Sequence, residues 1–405
     1  MRFYENSDAL TEPRGFFCSG IHCDVKGKRD GKLDLGIIYS PKPCNAAGVF
    51  TTNDLKAAPV LLCQSLLQKN ELFHAVVANS GNANACTGKQ GIADANKMGT
   101  ETARQLNLTP EKVLVCSTGR IRVHLPISKI TAGIRDASED VLAGFDGAKA
   151  FQEAILTSDT CTKSCSARVD TKYGEFTVGG VVKGAGMIQP DMATMLAFIT
   201  TDVKASNSYL QEVLIEAVNQ SFNRITIDGD MSTNDSVILL ANGNSGIDIS
   251  PKDKQTHEAF SKAVKAICQC LAKKCVSDGE KVTKFIQLKV CGAASDEAAE
   301  KIARCISNSL LVKSSWYGSD PNWGRIVDAA GYAKAGINFE KVSMFYDQVP
   351  VLRSGEPIES NKAQWKEIVT QSAFSIKLDL NLGKGEAEIW TNDLSEEYVN
   401  FNKSE

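Results

Sequence analysis

The chain has 405 residues, of which 43% are hydrophobic and 23% charged, and its formal net charge is −3. That balance supplies an ordinary globular core, and the length suggests two or three domains. It cannot build a strongly basic face, which excludes a nucleic-acid partner, and no block of like charges reads as an interaction tail.

In chain order, residues 1–15 are polar and mixed in charge, with no apolar core. Neither a secretory signal nor a transit peptide is predicted there. No run of about 18 apolar residues occurs anywhere, so no transmembrane helix is predicted and a cytoplasmic protein is expected. The 13 cysteines are therefore expected as reduced thiols.

Val113 to Cys116 is a short apolar run closed by Ser117-Thr118-Gly119, a strand entering a turn. Phe176 to Val182 reads as a strand that feeds the glycine-rich Lys183-Gly184-Ala185-Gly186, and Met195 to Ile199 reads as another buried strand. Leu210, Val213, Leu214, Ala217 and Val218 form one helical face, with Ser206 or Asn207 placed to cap it. Phe260, Val264, Ile267 and Leu271 mark a second helix that carries Cys268 and Cys275 on its apolar stripe and Cys270 off it. No C-x2-C pair accompanies these thiols, so core packing is predicted and not a metal site. Phe374, Ile376, Leu378, Leu380 and Leu382 alternate, and after Gly383-Lys384-Gly385 the alternation resumes at Ala387 and Ile389, which predicts a hairpin. Strand-like and helix-like segments thus alternate throughout, giving an α/β or α+β protein.

The four histidines, His22, His74, His124 and His257, lie in no hydrolase or zinc-protease motif, and no Walker A sequence is present. Gly184 and Gly186 are half of a dinucleotide fingerprint, because Gln189 stands where the third glycine belongs. Asp228, Asp230 and Asp235 match no EF-hand spacing and read as scaffold, so no metal is expected. What stands out is Lys183-Gly-Ala-Gly-Met-Ile-Gln-Pro-Asp-Met-Ala-Thr194, in which a small residue, Ala193, directly precedes a threonine. Read from its residues alone, this is a loop leading into a buried strand.

The same segment resembles the nucleophile motif of the glutamate N-acetyltransferase family, also called ornithine acetyltransferases. Asn79-Ser-Gly-Asn-Ala-Asn-Ala-Cys-Thr-Gly88, Ser117-Thr-Gly119 and Ser221-Phe-Asn-Arg-Ile-Thr-Ile-Asp-Gly-Asp-Met-Ser-Thr-Asn-Asp235 continue the likeness in order. So do Asp278-Gly-Glu280, Asp320-Pro-Asn-Trp-Gly-Arg325 and the ending around Glu397-Tyr-Val399, so the resemblance spans nearly the whole chain.

The resemblance implies a layered αββα sandwich of the N-terminal-nucleophile type with a second, smaller lobe. It implies a precursor that cuts itself between Ala193 and Thr194 into an α chain, 1–193, and a β chain, 194–405. Thr194 is then the catalytic nucleophile, and its freed amine the local base. Thr118, through its hydroxyl, and Gly119, through its N–H, form the oxyanion hole. Thr157, Lys183, Glu280 and Asn402, with Thr194, bind substrate, and Asn400 is an alternative to Asn402.

The implied reaction carries acetyl from N2-acetylornithine to glutamate and belongs to arginine biosynthesis. No cofactor is implied, although acetyl-CoA is a donor for some relatives. Two α and two β chains are the expected assembly, with no membrane or nucleic-acid partner. Outside this reading stand an N-terminal-nucleophile amidase or aminopeptidase, and an inert amino-acid-binding paralogue. Four departures from the family pattern bear on substrate fit more than on the nucleophile: Asp191, the Arg120-Ile121-Arg122 run, Lys281 with Val282, and a C-terminus that stops at Glu405.

Overall fold

The computed structural model describes residues 1–5, 8–28, 30–69, 71–142, 147–189 and 195–403. These form two compact units. The first comprises Met1–Gly184, Pro190–Asn223 and Met231–Cys275; the second comprises Ala185–Gln189, Arg224–Asp230 and Val276–Glu405.

The first unit contains, in chain order, β1 (Arg2–Tyr4), β2 (Phe17–Ile21), β3 (Leu35–Phe50), α1 (Ala58–Gln68), β4 (Phe73–Asn79), α2 (Gly88–Gln105), β5 (Val113–Ser117), α3 (Ile127–Leu142), α4 (Ala148–Ala154), β6 (Lys163–Thr171), β7 (Gly174–Lys183), β8 (Leu196–Thr201), α5 (Asn207–Asn219), β9 (Ser236–Ala241) and α6 (Lys254–Ser277). The strand order is β1-β6-β7-β8-β9-β3-β4-β5, with β2 also on β3.

Strand β3 makes this order possible. Its first half pairs with β4 and its second half, Asn45 to Phe50, pairs with β9. The register breaks between Tyr39 and Cys44, where Pro41 and Pro43 stand. Proline donates no ladder hydrogen bond and settles at such irregularities, so the strand leaves one sheet there and enters the other.

The two sheet halves face each other. Ile38, Val76, Ala78, Leu114 and Cys116 from one meet Val181, Leu196, Phe198, Ile238 and Leu240 from the other in a single core. The outer face of the β3–β4–β5 half, with Leu35, Ile37, Val77 and Val115, is covered by Met98 and Ala103 of α2 and by Ile130, Ile134 and Ala137 of α3. On the opposite outer face, Phe176 of β7 stacks edge-on against Phe260 of α6 at 6.0 Å between ring centroids. The layers are α, β, β, α, as the resemblance implied. Helix α5 begins where the apolar face begins, and the Ser206 hydroxyl accepts from the Tyr209 N–H at 3.3 Å, a cap of the expected type.

The second unit adds β10 (Phe285–Ala293), α7 (Asp296–Asn308), α8 (Leu310–Tyr317), α9 (Trp323–Tyr332), β11 (Ser343–Tyr346), β12 (Val349–Arg353), β13 (Glu356–Pro357), α10 (Lys362–Val369), β14 (Ala373–Asp379), β15 (Gly385–Asn392) and α11 (Glu396–Phe401). Its sheet runs β13-β12-β11-β14-β10-β15. Ile286, Leu288 and Val290 of β10 share a core with Ile302 and Ile306 of α7, Trp316 of α8 and Ile326 of α9.

The predicted hairpin over 374–389 is corrected here. Strands β14 and β15 do not pair; β10 lies between them, parallel to β14 and antiparallel to β15. The alternation correctly reports one buried face, but a ladder partner about 90 residues upstream in sequence leaves no local signal. Among the described residues, no helix is long and apolar enough to cross a membrane.

Candidate active site

In the first unit, β4 and β5 run parallel and end level, with Asn79 opposite Ser117. The turn beyond β5 is held by side-chain amides. Asn79 Oδ1 accepts from the Ser117 hydroxyl at 2.7 Å, and the Asn79 carbonyl accepts the Thr118 N–H at 3.0 Å. Asn234 Nδ2 donates both to the Ala83 carbonyl at 2.6 Å and to the Ser117 carbonyl at 2.8 Å. Asparagine suits this work because one amide can donate and accept at once.

Gly119 follows with φ +130, and a Cβ there would lie 2.4 Å from the Gly81 carbonyl carbon. Only glycine fits both demands. Its N–H donates to no group among the described residues. Beyond it, Arg120 and Arg122 are exposed, and Arg122 adopts a left-handed φ of +65.

Lys183, the last residue of β7, brings its ammonium into the same place. Its Nζ donates to Thr157 Oγ1 at 2.7 Å and to Thr118 Oγ1 at 3.3 Å. Behind it lies Asp159, whose side chain is 0% exposed. Asp159 Oδ2 is 3.7 Å from Lys183 Nζ and accepts the Thr157 N–H at 3.2 Å. Asp159 Oδ1 accepts from Lys163 Nζ at 2.7 Å and from the Gly184 N–H at 2.6 Å. Burial alone would push this carboxyl up, but Lys183 and Lys163, with the Gly184 N–H, outweigh it and hold the carboxyl well below the usual range.

A second carboxyl, Asp235, is fully buried. Its Oδ1 accepts the Met195 N–H at 2.8 Å, just ahead of β8, and its Oδ2 has no hydrogen-bond partner among the described residues. Burial pushes this carboxyl well up, opposed by the Met195 N–H and by Lys183.

The second unit holds the other predicted residues. Glu280 N–H donates to the Ala185 carbonyl at 2.8 Å, and a Cβ on Gly186 would fall 2.5 Å from the Glu280 carboxylate. Glycine at 186 is thus what lets the carboxylate lie against the backbone. Asn402 ends α11 and donates from Nδ2 to Glu280 Oε2 at 3.2 Å. Asn400, the alternative, donates instead to Glu397 at 3.5 Å. Asp228 accepts the N–H groups of Met187 and Ile188, at 2.6 and 2.8 Å, which is scaffold work. Lys281 sits at φ +57 with its ammonium 5.3 Å from the centre of the Phe401 ring.

The described residues therefore bring Thr118, Thr157 and Lys183 together in one unit, and Glu280 and Asn402 together in the other. Ala193 and Thr194, with Pro190, Asp191 and Met192, lie outside the described residues. A groove of about 290 Å³ on the open face of the second sheet, near Lys289, Phe345 and Glu388, contains none of the predicted residues. Its charges are already engaged, Lys289 with Glu386 at 2.8 Å and Glu388 with Gln287.

Sequence reasoning missed Asp159, Lys163 and the supporting asparagines. A signal for Asp159 was present, since it stands two residues after Thr157 in a run of small polar residues. Lys163 begins a strand of mixed polar and small residues, so its burial left no mark on the local pattern.

A family model described as the ArgJ family matches residues 17–404. The arginine biosynthesis bifunctional protein ArgJ of Thermotoga neapolitana is 44% identical over 395 residues, covering 96% of this chain and 98% of its own length. The protein of the same name from Symbiobacterium thermophilum is 43% identical, covering 98% of each. Among solved structures, ArgJ from Bacillus halodurans aligns with 51% of this chain and 98% of its own, at 34% identity and a TM-score of 0.49. Ornithine acetyltransferase from Mycobacterium tuberculosis, solved with ornithine, aligns with 47% and 97%, at 35% identity and a TM-score of 0.43.

Proposed function

Because the chain belongs to the ArgJ family, a family of arginine-biosynthesis acyltransferases, we propose that it moves acetyl from N2-acetylornithine to glutamate. The products are ornithine and N-acetylglutamate. In this reading the chain first processes itself. The Thr194 hydroxyl attacks the Ala193 carbonyl carbon, the acyl group shifts from nitrogen to oxygen, and water hydrolyses the ester to leave chains 1–193 and 194–405. The freed α-amine of Thr194 has an ordinary pKa of about 7.7–8.0, so it can take the proton from its own hydroxyl near neutral pH.

Transfer then proceeds in two halves. Thr194 Oγ1 attacks the acetyl carbon of N2-acetylornithine, and the oxyanion is met by the Thr118 hydroxyl and the Gly119 N–H. Ornithine leaves with the proton, and the acetyl group stays as an ester on Thr194. Glutamate enters, its amine attacks the ester, and N-acetylglutamate departs. Lys183 and Thr157 face the substrate carboxylate, whereas Glu280, with Asn402, faces an amino group. No step requires a cofactor. In this reading acetyl-CoA is a possible further donor substrate, and two α and two β chains form the assembly.

The observation that carries the proposal is the convergence of Lys183 Nζ on Thr157 and Thr118, at 2.7 and 3.3 Å, beside a glycine at φ +130. A buried ammonium facing two neutral hydroxyls is a site for an anion that comes and goes. The test is incubation of purified protein with N2-acetylornithine and glutamate, with ornithine measured, beside denaturing electrophoresis. Ornithine release dependent on glutamate, and two fragments in place of one 43.7 kDa band, are expected. Thr194→Ala should abolish both. An intact wild-type chain that releases no ornithine ends the reading.

A further inference from the structure

We propose that Asp159 is a positioning residue that holds Lys183 and Thr157 in the geometry that receives the substrate carboxylate. The inference rests on the acetyl-transfer reading above for the identity of that substrate. It goes beyond that reading by giving a role to a side chain that meets no substrate itself.

Asp159 contacts three pieces of chain at once. Its Oδ2 takes the Thr157 N–H at 3.2 Å and lies 3.5 Å from the Thr157 hydroxyl, while the same oxygen stands 3.7 Å from Lys183 Nζ. Its Oδ1 takes the Gly184 N–H at 2.6 Å and the Lys163 ammonium at 2.7 Å. The 3.7 Å separation from Lys183 is decisive. It is too long for a hydrogen bond but short enough for a strong Coulomb attraction where water is excluded. Lys183 is thereby attracted without having its donors consumed. Those donors go to Thr157 and Thr118, neutral hydroxyls that an incoming carboxylate can displace or share. Had Asp159 gripped Lys183 directly, a substrate anion would compete with a fixed carboxylate.

The hydrogen bond to Gly184 ties this arrangement to the backbone immediately after Lys183, so the lysine cannot swing away as a long exposed side chain would. Among the described residues, the charged groups facing Lys183 are Asp159, from the loop after α4, Lys163 of β6 through Asp159, and Asp235 ahead of β9. Asp235 cannot replace Asp159, because burial disfavours its ionised form.

The test is a double-mutant cycle on the full chain with Asp159→Asn, Lys183→Met and the double variant. It reads calorimetric glutamate binding alongside KM and kcat. Asp159→Asn is expected to raise the glutamate Kd and KM about tenfold while kcat changes less than about threefold. In the Lys183→Met background the same change is expected to alter binding less than about twofold, because a residue that acts only through Lys183 has nothing left to position.

Equal losses in both backgrounds, or unchanged KM in folded Asp159→Asn, would overturn the inference. If Asp159→Asn alone does not fold, a further binding loss in the double variant relative to Lys183→Met overturns it equally. Wild-type protein that binds glutamate but transfers no acetyl sinks the acetyl-transfer reading and leaves the binding cycle to decide this one.

Discussion

Each of the two units buries lysines, and the two pairs are held in opposite ways. In the first unit Lys163 and Lys183 share the carboxylate of Asp159, and Lys183 turns toward hydroxyls. In the second, Lys313 donates to Thr391 Oγ1 and to the carbonyl and side-chain oxygens of Asn392, while Lys284 donates to the Trp316 and Val369 carbonyls and the Ser319 hydroxyl. A cation surrounded by fixed neutral oxygens has no use for a ligand; it pins helices to strands. A cation balanced by a buried carboxylate and facing neutral hydroxyls can accept one. Burial alone therefore does not distinguish a structural lysine from a functional one, but the chemistry of its partners does.

The contrast breaks most sharply under substitution. Lys183→Met is expected to lower kcat/KM by about two to three orders of magnitude and to cost less stability than removal of Lys313, because Asp159 keeps Lys163 as a partner at 2.7 Å. A large loss of stability instead would make Lys183 a pin like the others.

Lys313→Met should do the reverse, costing about 2–4 kcal/mol of stability as three buried acceptors lose their donor, with activity per folded molecule unchanged. Burial pulls the Lys313 ammonium down to about 7, against weaker opposition from Asp393 and Asp228. The folded state thus favours the neutral amine, while the unfolded chain keeps its proton up to about pH 10.4. The stability advantage of wild type over Lys313→Met should grow as pH rises from about 7 toward 10 and stay flat below 7, as read by denaturant midpoints.

Acid should separate the units in the other direction. The Asp159 carboxyl is held down, so its contribution is present above the ordinary carboxylate value and is lost as pH falls below about 4. The stability difference between wild type and Asp159→Asn should shrink over that range, and a difference constant with pH would mean that the carboxylate is not charged in the folded state. The smallest effect is expected for Asn402→Ala. Its amide is exposed, so stability should move by less than about 0.5 kcal/mol, and any consequence belongs in KM.

Local patterns revealed some of this arrangement in the sequence. Strands β5, β7 and β8 and helices α5 and α6 follow from apolar runs and periodicity, because each carries its own signal within about 10 to 20 residues. The β10–β14–β15 arrangement does not, since a ladder partner far along the chain leaves no mark on either segment. At the site, Thr118, Thr157, Lys183, Glu280 and Asn402 were named through resemblance. Asp159 was missed because one aspartate after a threonine and serine reads equally well as a loop residue. Its role exists only when β7 and the loop after α4 meet. The asparagines at 79 and 234 stand within the motifs, but what they do depends on which groups the fold brings within 3 Å.

The order of strands in the first unit bears on what a nick at residue 193 could accomplish. Strand β8 belongs to the C-terminal side of that point, yet it is zipped to β7 from Val178–Thr201 to Lys183–Leu196, and β9 is zipped to β3 over six more residue pairs. A severed chain would keep two backbone seams joining its parts, so the pieces should comigrate on native gel filtration and part only in denaturant. Hydrolysis of one peptide bond between strands so joined creates a new chain end without releasing a separate piece.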